Sequence, residues 1–328
     1  MDSASARKRA SIQRTKEPSF GTCGMAHASD GTLLMLVDDN HGTMDLYCMA
    51  VADSATSKDT DVATSTDADA VRVLRPVRLV RPVHRAQFKP PTASIFGFTY
   101  NQPLQLAVAT DGLIFVVHMY EVFVLTPQFT AHARFGLDEL DEARGVCVND
   151  EVVAVGNGDH VCLFGRRKGG GDDDDDDGDG DTYPLLHRIG KGVLGHVVWL
   201  GFVDVDVAFD ADIGAAVVQT RLVVADSGRR RIYVFTLAGE LVLHVGEGAL
   251  QRPISFACVA RGELVVVDDC GTMAAPRTTY TRQPHYRIVA IDAAGVARAL
   301  LENTTYNSVT LHKGTVYAYD GGGELKQG

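Results

Sequence analysis

Arg221-Leu-Val-Val-Ala-Asp-Ser-Gly-Arg-Arg-Arg-Ile-Tyr-Val-Phe-Thr-Leu-Ala-Gly-Glu-Leu-Val-Leu-His-Val-Gly246 reads as three short strands joined by two turns. Leu222 to Ala225 is a brief apolar run of the kind that a sheet buried on both faces uses, and Asp226-Ser-Gly228 closes it with turn-forming residues. Ile232 to Phe235 is rich in β-branched and aromatic side chains, which pack well on a pleated surface. Leu237-Ala-Gly-Glu240 supplies the second turn, and Leu241 to Val245 predicts the next strand.

The strand before the first turn recurs as Leu33 to Asp38, Leu113 to His118, Val152 to Asn157, Leu222 to Asp226, Leu264 to Asp268 and Thr315 to Asp320. These copies end 80, 39, 69, 42 and 52 residues apart, and each long separation contains an insertion. The underlying period is about 40 residues, the length of a propeller blade. A second marker keeps the same phase. Arg134-Phe-Gly136, Arg188-Ile-Gly-Lys-Gly192 and His244-Val-Gly-Glu-Gly248 each close a unit just before the next begins.

Through Asp226, Arg231, Ile232, Val234, Phe235, Gly239, Gly246 and Gly248 the chain resembles the NHL repeat family, and Asp268, Arg287, Ile288, Ile291, Asp292 and Gly295 repeat the pattern after an insertion. Tyr120-Glu121 and Asp159-His160 stand where the family has Arg-Ile. The resemblance implies an all-β fold, a six-bladed β-propeller, forming one domain over 20–328, with 1–19 as a basic flexible tail or closing strand. It further implies that the face with the second-to-third-strand turns and the blade exits docks protein or RNA. On that face the sequence places Asn40, His41, Tyr120, His160, Arg229, Arg230 and Tyr286. Mixed aromatic and arginine content suits a protein hot spot, whereas successive arginines at 229 to 231 also suit phosphate.

The formal net charge of −11 is concentrated in two places. Asp172 to Asp177 with Asp179 and Asp181 carry −8, Asp53, Asp59, Asp61, Asp67 and Asp69 less Lys58 carry −4, and the remainder is +1. A near-neutral body needs no strongly charged partner, and DNA is not expected. No apolar run reaches the roughly 18 residues of a spanning helix, and the polar, basic stretch from Met1 to Arg14 lacks the apolar core of a secretory signal. The expectation is a cytoplasmic chain with no membrane partner. Cys23, Cys48, Cys147, Cys162, Cys258 and Cys270 lie in or beside strands without Cys-x-x-Cys spacing, as reduced thiols do.

Strand alternation assigns each insertion to a face. The low-complexity segments 52–70 and 165–182 follow third strands and share one face, while 271–284 lies between a second and a third strand on the other. Both acidic segments have the composition of disordered loops, and deleting Gly169 to Asp181 is expected to leave stability nearly unchanged. The chain ends soon after the sixth copy, so the segment near Ser11 to Phe20 is expected to complete blade six. Arg72 to Lys89, interrupted by Pro76 and Pro82, reads as linker and edge strand.

Eleven histidines show no metal-binding spacing. A calcium loop on Asp173, Asp175 and Asp177 fails, because Pro184 falls where a bidentate Glu is required. No phosphate loop, dinucleotide fingerprint or Gly-x-Ser-x-Gly is present. Alternation in Val203 to Asp210 puts Asp204 and Asp206 on one side of an innermost strand, making them secondary candidates for a channel Ca²⁺ or Zn²⁺. The reading is a non-enzymatic binding scaffold for a protein, without cofactor; RNA binding and a metal-dependent lactonase- or lyase-like propeller are the alternatives.

Overall fold

The structure is a computed structural model that describes residues 23–27, 32–38, 44–51, 74–76, 79–88, 105–118, 120–167, 181–210, 215–258, 263–271, 285–292, 294–304, 306–312 and 315–320. Blade one is the sheet β1 (Cys23–His27), β2 (Leu33–Asp38), β3 (Met44–Val51) and β5 (Leu79–Phe88), from which β4 (Leu74–Pro76) departs. Blade two is β6 (Leu106–Val108), β7 (Ile114–His118), β8 (Glu121–Leu125) and β9 (Ala131–Phe135). Blade three is β10 (Ala143–Val148), β11 (Val152–Asn157), β12 (His160–Gly165) and β13 (Leu185–Ile189). Blade four is β14 (Val197–Asp210), β15 (Ala215–Asp226), β16 (Arg231–Thr236) and β17 (Leu241–Val245). Blade five is β18 (Pro253–Cys258), β19 (Leu264–Asp269), β20 (Tyr286–Ile291) and β21 (Ala297–Thr304). Blade six joins β22 (Tyr306–His312) and β23 (Thr315–Asp320) to β4.

The first strands β1, β6, β10, β14, β18 and β22 lie each against the next, and β22 returns to β1. The chain is therefore a closed six-bladed β-propeller. Its core is layered between blades. Phe115, Val117, Val153 and Phe164 pack blade two on three, Leu163, Ile189, Val224 and Phe235 pack three on four, and Val223, Ile232, Val266 and Val289 pack four on five. A second strand clasped on both sides is buried at every position, as in β11 and β19. That is why these strands read as unbroken apolar runs rather than as an alternation.

The exit loops of blades two, three and four repeat one device. Gly136, Gly190 and Gly246 adopt positive φ, and the N–H groups of Leu140, Leu194 and Leu250 bond back to their carbonyls at 2.9 Å. A Cβ on any of the three glycines would stand 2.4–2.5 Å from the leucine's Cδ1, so the leucine packs where no other residue would leave room. The buried leucine starts the next blade.

Three features go beyond what the sequence reading contained. The third place in blade six is filled by β4, which runs parallel to β23 with Val316 opposite Leu74; Ser11 to Phe20 lies outside the described residues. The long connection after β3 brings the chain back alongside its circular neighbour, which supplies an unpaired edge. Asp181 is not a free loop residue either. Its carboxylate is 3.1 Å from His132 Nε2, Arg167 and Thr182 close a two-way backbone bridge, and Arg166, its side chain fully buried, pairs with Asp111. The acidic insertion thus rises from a fixed stem. Removing only 169–180, keeping Asp181, is expected to shift the thermal midpoint by no more than about 2 °C, since closing a shorter loop changes the entropy by only about 1 kcal/mol; extending the deletion through Asp181 is expected to cost more. Calorimetry of the two variants checks this. Thirdly, β14 and β15 run 14 and 12 residues, about twice the other strands of their sheet. Their pairing continues past Arg221 opposite Thr236, where β16 stops, and forms a two-stranded ribbon.

Candidate docking face

Because blades one to five are antiparallel meanders, their turns alternate between two faces. One face carries the second-to-third-strand turns and the exit loops, and there, in blades three, four and five, the backbone is locked by an anchor residue at the end of the second strand. Asn157 Oδ1 accepts the N–H groups of Asp141 and Glu142 at 3.0 and 2.8 Å. The fully buried Asp226 accepts those of Gly195, His196 and Arg229 at 2.7, 2.9 and 2.9 Å. The fully buried Asp268 accepts those of Gln251 and Arg252 at 2.9 and 2.6 Å, and also the Arg287 guanidinium at 2.7 Å. The residue after each anchor then donates its N–H to the incoming loop, Gly158 to Glu142, Ser227 to His196 and Asp269 to Arg252. Glu142, His196 and Arg252 are therefore equivalent positions on three successive blades.

This repetition gathers polar side chains at the rim. Ser227 Oγ lies 2.7 Å from His196 Nδ1, while His196 Nε2 stands 3.6 Å from Glu142 Oε1, which Arg144 holds at 2.8 Å. In blade five an ion pair between Arg252 and Asp269 takes the place of the Ser227 and His196 contact. Burial, then the neighbouring Arg144 charge, hold the His196 imidazole below its ordinary 6.5, and burial does the same for His118. Both rings are thus harder to protonate in the fold than in the unfolded chain. The unfolded chain takes up protons near pH 6.5 that the folded chain refuses, so stability is expected to fall as pH drops through 6.5 and to level off below the depressed folded values. Urea midpoints between pH 7.5 and 5 check the sign, and His118→Asn with His196→Asn should flatten the slope.

Of the residues assigned to this face, Arg229 and Arg230 are exposed in the turn between β15 and β16, and Arg230 has a φ of 61°. Tyr120 and Tyr286 are half-buried at the corresponding turns of blades two and five. His160, also half-buried, sets Nδ1 2.9 Å from Asp159, a contact that pulls the Asp159 carboxyl below its usual range. Asn40 and His41 lie outside the described residues. Arg231 turns away from the pair and bonds Glu247. In blade two the anchor and its strand partner become His118 and Glu121, which leave Nδ1 and Oε1 buried without hydrogen-bond partners.

Asp204 and Asp206 lie on the part of β14 that outruns the other first strands. The equivalent strands β10 and β18 end after six residues, whereas both aspartates lie beyond that point on the protruding ribbon. Asp204 is exposed and accepts a bond from Thr220 Oγ1 at 2.7 Å. The thiols of the buried Cys147 and the half-buried Cys258 are pushed up by desolvation, Cys258 to about 12. Glu142, Arg144, His196, Ser227 and Arg252 carry no sequence motif of their own. Their signal is positional: each of Glu142, His196 and Arg252 stands six residues after the exit glycine and two after its leucine.

No protein-family model matches the chain, and no curated protein matches it in sequence. Solved structures that share its architecture include a streptogramin B lyase, 13% identical over 92% of this chain and 91% of that one, with a TM-score of 0.47. A nidogen/laminin complex is 13% identical over 89% and 85%, with a TM-score of 0.49. The Neurospora crassa Pan2 WD40 domain is 8% identical over 92% and 79%, with a TM-score of 0.48. Neither activities nor partners pass from such remote likenesses to this chain.

Proposed function

We propose that this propeller is a docking scaffold that binds a polypeptide partner on the face of Tyr120, His160, Arg229, Arg230 and Tyr286. The observation that carries the reading is the Arg229-Arg230 turn. Both side chains are exposed and make no ion pair among the described residues, while Asp226 fixes the backbone beneath them. A turn whose backbone is already fixed loses little backbone entropy on binding. The NHL resemblance over blades four and five supports the same face. RNA is the second reading, but only two of the three successive arginines remain free for phosphate, since Arg231 is spent on Glu247.

Arg229→Glu with Arg230→Glu is expected to weaken partner binding about 100-fold or more, because hot-spot arginines contribute roughly 2 kcal/mol or more each. Circular dichroism and the thermal midpoint should stay unchanged. Titration of the partner against both proteins decides the matter: equal affinity would overturn the assignment of this face.

A further inference from the structure

We propose that Ser227, His196 and Glu142 form a nucleophilic relay that cleaves small carboxylic esters at the rim between blades three and four. This chemistry goes beyond the docking role. Three elements that are distant in sequence deliver a hydroxyl, an imidazole and a carboxylate in series. The hydroxyl is 2.7 Å from Nδ1 and the carboxylate 3.6 Å from Nε2. The tautomer that serves catalysis has its proton on Nε2, facing Glu142, and leaves the Nδ1 lone pair to receive the Ser227 proton.

The surroundings hold this order in place. Asp226 binds the backbone N–H of His196, and Ser227 N–H bonds His196 O at 3.0 Å, so nucleophile and base share one buried anchor. Arg144 fixes Glu142 from the side. The serine also has the His196 carbonyl at 3.4 Å, the longer of its two contacts. Side chains of His196 and Glu142 keep 26% and 45% of their surface, so a small molecule reaches them from solvent. The N–H groups of Gly228 and Arg230, in the same turn as Ser227, have no partner among the described residues and are donors for a developing oxyanion. Blade five shows the contrast: the same two positions hold Arg252 and Asp269, an ion pair with no nucleophile. A blade junction that needed only a lock has one there; blade four carries acyl-transfer chemistry in its place.

The step balances. Ser227 Oγ attacks the ester carbonyl as its proton passes to His196 Nδ1, with Glu142 stabilising the imidazolium. Collapse of the tetrahedral species expels the alcohol, which takes that proton. Water, deprotonated in turn by His196, hydrolyses the acyl-serine and releases the acid. The net change is ester plus water to acid plus alcohol.

The test uses the full chain with diisopropyl fluorophosphate, followed by peptide mass spectrometry, and with p-nitrophenyl acetate. The expected result is one adduct per chain on Ser227, none in Ser227→Ala, and labelling slowed at least about tenfold in His196→Asn and in Glu142→Gln. Nitrophenol release should fall in parallel in the same variants. A folded wild-type chain left unlabelled at Ser227 would overturn the proposal. Labelling that spreads over tyrosines, or that His196→Asn leaves unaltered, would overturn it equally. Labelling is read with no partner present, so its outcome is independent of whether the docking reading holds.

Discussion

Asp268→Ala is expected to be the most damaging of the surface-distant substitutions, lowering stability by about 3–5 kcal/mol. The carboxylate has no exposed surface and receives two backbone N–H groups and a guanidinium, so its removal leaves Arg287 half-enclosed without its counter-charge. The N–H groups of Gln251 and Arg252 lose their acceptor as well, at about 1–3 kcal/mol for each that stays dry. A drop in thermal midpoint on the order of 10 °C follows for a domain of this size. Asp226→Ala should cost less, because its carboxylate serves backbone N–H groups but no arginine. The ranking of the two, read from denaturant midpoints, is the check. An equal loss would mean that the Arg287 pair contributes nothing beyond the backbone bonds.

The second large effect is expected at Gly190. Alanine there would have to hold a φ of 78° and to place its Cβ 2.4 Å from Leu194 Cδ1 and 3.5 Å from Phe235. Left-handed backbone costs an L-residue about 1–2 kcal/mol, and overpacking against the buried leucine adds about 1–3 kcal/mol. Gly192, two residues on, is the internal control. It has nearly the same φ, 80°, but open space around its Cβ, so Gly192→Ala should show only the backbone part. If both variants lose the same stability, the exit loop is not organised around its leucine.

The blades were legible because their middle strands are clasped between neighbours and must be apolar on both sides. Val152 to Asn157 and Leu264 to Asp268 announce themselves for that reason. The terminal Asp was legible only as part of the NHL-like pattern; the hydrogen bonds give its role, which is to hold the next blade's entry. What the sequence could not show depends on distance across blades. Arg72 to Lys89 reads as an edge strand, but not as the edges of two blades; Leu74–Pro76 joins β23 while Leu79–Phe88 joins β3. Asp204 alternates like a channel residue yet sits on a ribbon, since alternation gives the side of a strand but not where the sheet around it ends. Glu142, His196 and Ser227 come from three segments, and only equivalent loop geometry brings them within contact distance.

The central claim is that a partner is bound by the face of Arg229 and Arg230. A photo-crosslinking side chain placed at position 229 tests it most directly, with a second at Ala238, which is exposed in the β16–β17 turn on the opposite face. The docking account predicts that irradiation joins the partner to position 229 and not to position 238. Crosslinking from position 238 alone would contradict it.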